Sequence, residues 1–472
     1  MNSQSLQFIL PELILAVFAL GAMLGGAFAR DKKRIGLLAL LGVIVSACFL
    51  PLSLQAGPSA FSDMLINDPF SVFFRVVILF VMGIVILLSI GYQEIEEDDR
   101  GEYYFFLLVT AVSMLLAAAA NNLLLIYIAI EAISIVSYIL VGYARRDILS
   151  SEGGVKYFLF GALSTGVMLY GISLIYGILG SLDLNVISNI LIAHPVNQLA
   201  LLAALIFILV GLGFKSSLVP FHMWTPDVYQ GAPTPIAGLL SVGPKAVGFA
   251  LLLRLFIQNF HAFAGHWTTL AIVIAMATMT LGNVMAIGQS SVKRLLAFSS
   301  IAQAGYILVG VAVGTSAGVS AVLFYIFIYA LMNLGAFGAV IMISHFLKSD
   351  TLEDYAGYYQ RDPFTAIVLT ISLLSLAGIP PLAGFLAKFF ILSAAVDAHL
   401  TTLALVAALN SVIALYYYAR IVKFMFFHEP RETSLAPKSL PLQTALIVTV
   451  IGNVALGLWP HPILHWLASL GH

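Results

Sequence analysis

Charged residues are scarce in this sequence. They make up 9% of its 472 residues, while hydrophobic residues make up 61%; an ordinary soluble domain has about 25% charged residues. A soluble fold could not cover its surface with so few polar side chains. The composition therefore excludes an ordinary soluble domain and indicates that lipid is the solvent of this chain.

Cysteine is nearly absent as well. The single Cys48 excludes disulfides within the chain and sites held by several thiolates, such as iron–sulfur clusters. The ten histidines are scattered without a ligand-like pair. The net charge is -1, and no glycine-rich phosphate loop accompanies a βαβ pattern, so we expect no nucleic-acid partner and no nucleotide chemistry. We expect no cofactor and no metal in this chain.

What the sequence does have is long hydrophobic runs. About twenty apolar residues suffice for a helix to cross a ~30 Å hydrocarbon core, and the runs divide into about fourteen such spans. The expected fold is an all-α polytopic membrane protein. The expected spans are 7–29, 35–55, 70–91, 104–119, 121–143, 157–180, 199–223, 235–258, 267–287, 294–314, 317–346, 363–395, 401–427 and 443–468.

The basic residues predict the orientation of these spans. Loops on the cytoplasmic side of a membrane are rich in Lys and Arg, and one alternate set of loops carries sixteen of the 21 basic residues while the other set carries none. Both termini are then outside, which in a bacterial inner membrane is the periplasm. The sixteen are Arg30, Lys32, Lys33, Arg34, Arg100, Arg145, Arg146, Lys156, Lys293, Arg294, Lys348, Arg361, Arg420, Lys423, Arg431 and Lys438.

Five basic residues fall within spans. Arg75 and Arg254 lie near the outer ends of theirs, where a long side chain is expected to snorkel to the interface. Lys215, Lys245 and Lys388 lie deeper, and a charge at the centre of a bilayer costs at least ~2.5 to 3.5 kcal/mol. Three lysines at this cost indicate a function.

Glu131 is the best-centred acid. It lies ~15 Å into the fifth span, and Ser134 and Tyr138 share its helical face. Lys245 has a comparable depth in the eighth span, just after Pro244. The structural alternatives are a local hydrogen bond for Glu131 and an ion pair for Lys245.

Two spans contain helix-breaking residues beside a lysine. Lys215 is followed by Ser216, Ser217 and Pro220, and the run "GIPPLAGF" at 378–385 precedes Lys388. Broken helices inside a membrane expose backbone groups that only protein or a water-filled cavity can satisfy, and such breaks commonly line transport sites. Each break predicts a hydrated cavity at its lysine.

The broken spans are five helices apart and so run in opposite directions, as two inverted five-helix repeats require. "SYILVG" at 137–142 and "GYILVG" at 305–310 provide a short internal echo on the fifth and tenth spans. We predict an N-terminal three-helix segment 1–91, repeats 104–258 and 267–427, and a C-terminal helix in 428–472. In the second repeat the polar groups at apparent membrane depth include no acid: they are Gln303, Tyr325, Tyr329, Asn333, Asn410 and Ser411.

These buried charges suit a proton relay. The proton affinity of a buried lysine depends on its separation from water and from a carboxylate. If Glu131 moves relative to Lys215, that lysine gains or releases a proton, which passes through water and Lys245 toward Lys388. Glu131 and Lys215 would then titrate as a coupled pair.

Four stretches carry a resemblance to a known family. They are "FKSSLVPFHMWTPDVYQGAPTP" at 214–235, "SVGPKAVGFA" at 241–250, "VKRLLAFSSIAQAGY" at 292–306 and "GIPPLAGFLAKFFIL" at 378–392. Over essentially its whole length the chain resembles the N-type antiporter-like subunit of respiratory complex I, the proton-pumping NADH:quinone oxidoreductase. The M-type subunit usually has glutamate where Lys388 stands, and the L-type subunit carries a long lateral helix after its last span.

The resemblance implies site residues and partners. Glu131 would be the acid of the fifth helix, Lys215 and Lys388 the lysines of the broken helices, and Lys245 the relay between them. Lys156, at the start of the expected sixth span, matches a further family lysine but has an interfacial position. The implied partners are the other membrane-arm subunits, including the M-type and the small K-type subunits, and lipid; quinone reduction, elsewhere in the complex, would drive the protons.

Two other functions fit parts of the pattern. Subunits of multi-subunit cation/proton antiporters share the helix pattern, so sodium or potassium exchange is the main alternative. A passive structural subunit is the other, and it leaves the three deep lysines unexplained.

Overall fold

The computed structural model describes residues 3–28, 34–90, 92, 95–96, 99–193, 196–430 and 439–469. Nearly all of this is helix, with one short antiparallel hairpin of β1 (Ser59–Ala60) and β2 (Leu65–Ile66). The α-helices are α1 Ser3–Phe8, α2 Leu10–Phe28, α3 Arg34–Leu54, α4 Pro69–Ile90, α5 Arg100–Ala119, α6 Leu123–Val141, α7 Ile148–Leu179, α8 Leu184–Ala193, α9 Gln198–Ser216, α10 Thr225–Gly231, α11 Thr234–Leu252, α12 Ala264–Ile287, α13 Val292–Val313, α14 Ser316–Leu347, α15 Pro363–Ala377, α16 Ala383–Asp397, α17 Thr401–Phe427, α18 Leu440–Leu458 and α19 His461–Ser469.

The described residues include 13 helices long and apolar enough to cross a membrane. Helices α15 and α16, of 15 residues each, are two halves of a further span. The prediction of about fourteen spans is therefore confirmed. Every backbone group in a spanning helix is satisfied within the segment, which is why apolar runs of this length become helices in lipid.

The sixth span differs from its expected start. Helix α7 begins at Ile148, where Asp147 caps it by accepting from the backbone N–H of Leu149 at 2.9 Å. The sequence predicts a start at residue 157 because the residues before it are polar. The helix itself extends beyond the apolar run. Lys156 therefore lies more than two turns inside α7, not at its beginning.

The two predicted breaks are present. Helix α9 ends at Ser216, and Ser217 has a left-handed φ of 58°. Helix α15 ends at Ala377, and Gly378 has φ 89°, a conformation that glycine adopts without steric cost. The chain resumes as α10 after the first break and as α16 after the second. Lys215 thus precedes its break and Lys388 follows its own.

The interior of the bundle is formed by α11, α13 and α14. Every residue of α11 is buried, and so are nearly all those of α13. Helices α2, α3, α7, α12, α17 and α18 lie outside them, with well under half of their apolar windows buried. Lys245 and Ser300, on α11 and α13, are therefore held at the centre of the protein.

Arg75 and Arg254 do not snorkel, and that expectation was wrong. Both are buried, and each has a carboxylate partner: Arg75 donates to Glu12 at 2.5 Å, and Arg254 donates to both oxygens of Asp68 at 3.1 Å. Carboxylates distant in sequence thus satisfy both charges. Removing one member of such a pair leaves the other charge buried without a partner, which generally lowers the free energy of unfolding by ~3 to 5 kcal/mol.

Candidate functional site

Glu131 lies on α6, facing α7. Thr165 of α7 donates its hydroxyl to Glu131 Oε1 at 3.3 Å. The other oxygen, Oε2, is buried and has no hydrogen-bond partner within the part of the chain that the structure describes. A carboxylate has room for several donors, so Glu131 retains capacity to accept a further donor.

Lys215 approaches the same part of α6 from α9. Its Nζ donates to Ser134 Oγ at 2.9 Å, and Tyr157 lies with its ring centroid 5.9 Å from the ammonium nitrogen. Ser134 is nearly one turn beyond Glu131 on the same face of α6. The structure thus brings Lys215 and Glu131 together around Ser134, although no ion pair joins their charged atoms among the described residues.

Ser216, next to Lys215 on α9, packs against Gly248, which follows Lys245 by nearly one turn on α11. A Cβ placed on Gly248 would lie 2.4 Å from Ser216 Oγ, so any larger residue would displace this hydroxyl from its position. Ser216 is buried, and its hydroxyl has no hydrogen-bond partner in the described residues. A buried hydroxyl without a protein partner usually bonds to ordered water. Ser216 therefore has capacity to bond an ordered water between the helices that carry the two lysines.

Lys245 is fixed by α13. Its Nζ donates to the carbonyl oxygen of Ser300 at 2.9 Å and to Ser300 Oγ at 2.8 Å. The ring of Tyr229 lies below it, with the centroid at 5.9 Å. An ammonium group has three N–H donors, so one remains after both bonds to Ser300. Among the described residues no carboxylate pairs with Lys245, since both atoms that accept from its Nζ belong to the neutral Ser300.

Lys388 folds back onto the break that precedes it. Its Nζ donates at 3.0 Å to the carbonyl oxygen of Ala377, the last residue of α15, and lies 4.5 Å from the ring centroid of Tyr306. The C-terminal end of a helix carries partial negative charge on its free carbonyls. The broken helix therefore supplies the counter-charge for Lys388, and no carboxylate in the described part of the chain forms an ion pair with it.

Hydroxyl and amide groups connect the surroundings of Lys245 to those of Lys388. Ser299, next to Ser300 on α13, shares a 2.5 Å hydrogen bond with the hydroxyl of Tyr418. Gln303 Nε2 donates to that hydroxyl at 3.3 Å and to the carbonyl of Leu376 at 3.0 Å. Leu376 is adjacent to the Ala377 carbonyl that holds Lys388. This series is called the central polar chain below; its hydrogen-bonded side chains are Ser299, Tyr418 and Gln303, and Ser300 adjoins it as the next residue after Ser299 on α13.

Lys156 takes part in a charged cluster near the basic loops. Its Nζ contacts Glu152 and Asp227, each at 2.6 Å, and Arg294 contacts the other oxygen of Asp227 at 2.6 Å. These side chains are about one third exposed or more. Lys156 is thus separate from the buried lysines and lies on the face that the basic residues predict to be cytoplasmic.

Sequence reasoning missed three contacts of the buried charges. Thr165 lies in the part of α7 after Lys156, which carries no charge, and Ser300 and Ala377 are ordinary residues in apolar helices. The i, i+3 spacing of Glu131 and Ser134 identified Ser134, but the pairing of helices distant in sequence is not encoded in any local pattern. Among the described residues, no group of three or more His, Cys, Asp or Glu side chains is placed to hold a metal ion.

Comparison with known proteins identifies relatives along the whole chain. The family model described as NADH:quinone oxidoreductase/Mrp antiporter matches residues 120–414. NADH-quinone oxidoreductase subunit N of Trichlorobacter lovleyi is 40% identical over 467 residues, covering 98% of this chain and 96% of the relative. NAD(P)H-quinone oxidoreductase subunit 2 of a Nostoc species is 41% identical over 471 residues, covering 96% and 91%.

Two solved structures are also similar. A chain of respiratory complex I from Thermus thermophilus is 33% identical with a TM-score of 0.83, covering 96% of this chain and 98% of that one. A chain of the Mrp complex from a Dietzia species has a TM-score of 0.86 but is 21% identical, covering 100% and 97%. The second likeness shows a shared fold alone.

Proposed function

This chain belongs to the N-type antiporter-like membrane subunits of NADH:quinone oxidoreductase, the proton-pumping complex I, and we propose that its protons travel through Glu131, Lys215, Lys245 and Lys388. The membership rests on the family match and on relatives at 40% identity along nearly the whole chain. The chain is a multi-pass membrane protein that translocates protons as part of a larger oxidoreductase. The residues that carry those protons are the subject of the proposal.

One observation supports the route above all others. Hydrogen bonds of 2.5 to 3.3 Å run from Ser299, the neighbour of Ser300 on α13, through Tyr418 and Gln303 to the carbonyl of Leu376 at the end of α15. In this proposal water completes the steps from Ser300 to Ser299 and from Gln303 to Lys388. Hydroxyl groups both donate and accept, so a proton can enter on one side of such a group and leave on the other. An apolar interior would interrupt this path.

The direction of coupling follows from the charges. A proton that reaches Glu131 changes the field at Lys215, and each later lysine responds to the charge of the one before it. Quinone reduction elsewhere in the complex would reset Glu131 through a neighbouring subunit. In this proposal the chain binds no redox cofactor of its own and works only in its assembly, next to M-type and K-type subunits.

The orientation is part of the proposal. The Lys156, Asp227 and Arg294 cluster marks the inner, cytoplasmic face of a bacterial membrane, and both termini then lie on the periplasmic side. Five of the sixteen residues behind this assignment, Arg30, Lys32, Lys33, Arg431 and Lys438, fall outside the described residues. The face that carries this cluster is called the inner face.

Exchange of sodium or potassium for protons is the alternative function. The Mrp-like fold is compatible with it, but the relatives at 40% identity or more are quinone oxidoreductase subunits. A transport assay on the intact complex separates the two functions. Proton uptake into inverted vesicles that requires NADH favours complex I, whereas sodium-dependent exchange without NADH favours the antiporter.

Tyr418→Phe tests the central polar chain. The change removes one buried hydroxyl and leaves Ser299 and Gln303 without their shared partner, so we expect the rate of NADH-driven proton uptake to fall about fivefold. Tyr416→Phe is the matched control, because Tyr416 lies two residues earlier on α17 with its side chain exposed. Equal uptake by both variants, with equal amounts of assembled complex, would rule out this part of the route.

A further inference from the structure

A cleft of about 380 Å³ opens between the inner ends of α5, α6 and α7. Glu102 and Arg145 lie on its lining beside Tyr138, Tyr143 and Gly142. Helices α6 and α7 meet there at two glycines, with a Cβ on Gly154 falling 3.2 Å from the Cα of Gly142. The cleft therefore brings the inner face of the protein close to the helix that carries Glu131.

Tyr138 lines this cleft, and its hydroxyl is shielded from solvent. The hydroxyl faces Ser134 on the preceding turn of α6 but makes no hydrogen bond of good geometry among the described residues. A Cβ added to Gly161 would lie 1.9 Å from this oxygen, so the hydroxyl occupies space that any side chain at that position of α7 would fill. The close approach requires glycine at 161.

Two residues that bond to the relay lie one helical turn from this hydroxyl contact. Thr165, which donates to Glu131, follows Gly161 by one turn of α7. Ser134, which accepts from Lys215, precedes Tyr138 by one turn of α6. Tyr138 also packs edge-on against Tyr157, whose ring faces Lys215. Tyr138 thus lies between the cleft and the Glu131–Lys215 pair.

We propose that the Tyr138 hydroxyl is the entry step through which protons from the inner face reach Glu131 and Lys215. The hydroxyl accepts a hydrogen bond from a water molecule in the cleft and donates its own hydrogen toward Ser134 or Glu131. When a proton moves through, the oxygen takes one hydrogen from the water side and releases one to the relay, so Tyr138 ends as it began. This inference depends on the proposed relay.

The second half of the chain contains a matching tyrosine. The echo of "SYILVG" at 137–142 and "GYILVG" at 305–310 aligns Tyr138 with Tyr306. The ring centroid of Tyr306 lies 4.5 Å from Lys388 Nζ, and the Tyr306 hydroxyl oxygen accepts a hydrogen bond from Ser411 Oγ at 3.3 Å. Because α6 runs inward and α13 outward in the proposed topology, Tyr138 falls in the inner half and Tyr306 in the outer half. Matching tyrosines then stand at the two ends of the route.

Tyr138→Phe in the intact complex tests this inference. Inverted vesicles expose the inner face to the medium, so the pH of the medium sets the proton supply at the cleft. We expect NADH-driven proton uptake to be about tenfold slower than wild type in alkaline medium and to recover in acidic medium. Tyr176→Phe is the control, because Tyr176 is exposed near the other end of α7, and it should keep the wild-type profile.

Several titratable and charged groups around Tyr138 contribute to the pH dependence of proton uptake. They are Glu102 and Arg145 at the cleft, Tyr143 and Tyr157 beside it, and Glu131 and Lys215 beyond it. If Tyr138→Phe fails to assemble, Glu102→Gln is measured in its place. We expect its NADH-driven proton uptake to fall in alkaline medium as well, but by a smaller factor. A wild-type profile in the assembled variant would overturn the inference.

The outcomes separate this inference from the proposed function. If Lys215→Met loses proton uptake while Tyr138→Phe behaves as wild type at every pH, the relay stands and the entry step is wrong. If Lys215→Met keeps wild-type uptake, the proposed relay itself fails.

Discussion

Replacing Lys245 by methionine is expected to lower NADH-driven proton uptake by the intact complex at least about tenfold. Lys245 occupies the centre of the molecule, and its only hydrogen-bond partner residue among those described is Ser300, which opens onto the central polar chain. Methionine keeps an unbranched side chain of similar length but cannot carry a proton. The route would then end between Lys215 and Lys388.

The variant should still fold and assemble. Replacing a buried charge by an apolar group of similar volume is often neutral for stability, and the two Ser300 acceptors that lose their donor also take part in local bonds on α13. Lys423→Met is the matched control, since Lys423 is exposed on α17. Proton uptake by Lys245→Met equal to that of the control would contradict the account.

Lys215→Met is expected to lower NADH-driven proton uptake by about the same factor as Lys245→Met. Glu131→Gln tests whether this loss arises from the coupling of Lys215 to Glu131. Both residues act around Ser134, so removing either one breaks the same step. Residues that act as a unit show strongly non-additive losses. The double variant Glu131→Gln with Lys215→Met should therefore pump protons about as slowly as Lys215→Met alone.

Proton uptake and the amount of assembled complex should be measured for the two single variants and the double variant. If the fold-losses of Glu131→Gln and Lys215→Met multiplied in the double variant, the two residues would act in independent steps. That result would remove the coupled pair from the mechanism while leaving Lys245 and Lys388 in place.

Much of the fold follows from the sequence because lipid imposes one rule. Backbone groups in hydrocarbon must be satisfied within the segment, so apolar runs give the positions of helices directly. The same rule predicted the breaks beside Lys215 and Lys388, since Pro220 and the pair Pro380 and Pro381 cannot continue a regular helix. Both breaks are present in the structure.

Partners distant in sequence were beyond the reach of local patterns. Arg75 was expected at the interface, yet it bonds with Glu12, which is 63 positions away. The counter-charge of Lys388 is a backbone carbonyl, a group that every residue possesses, so nothing in the sequence marks Ala377 for this role. Residue types at membrane depth thus identify the lysines, while the packing of helices decides what each lysine contacts. The predicted repeats 104–258 and 267–427 remain predictions.

An experimental density map of the membrane arm that resolves ordered water would test the central claim most directly. The account predicts water within about 3 Å of Ser216 Oγ, linking Lys215 to Lys245 where protein groups alone do not connect them. Apolar side chains packed against Ser216, with no water between the two lysines, would contradict a proton route from Lys215 to Lys245.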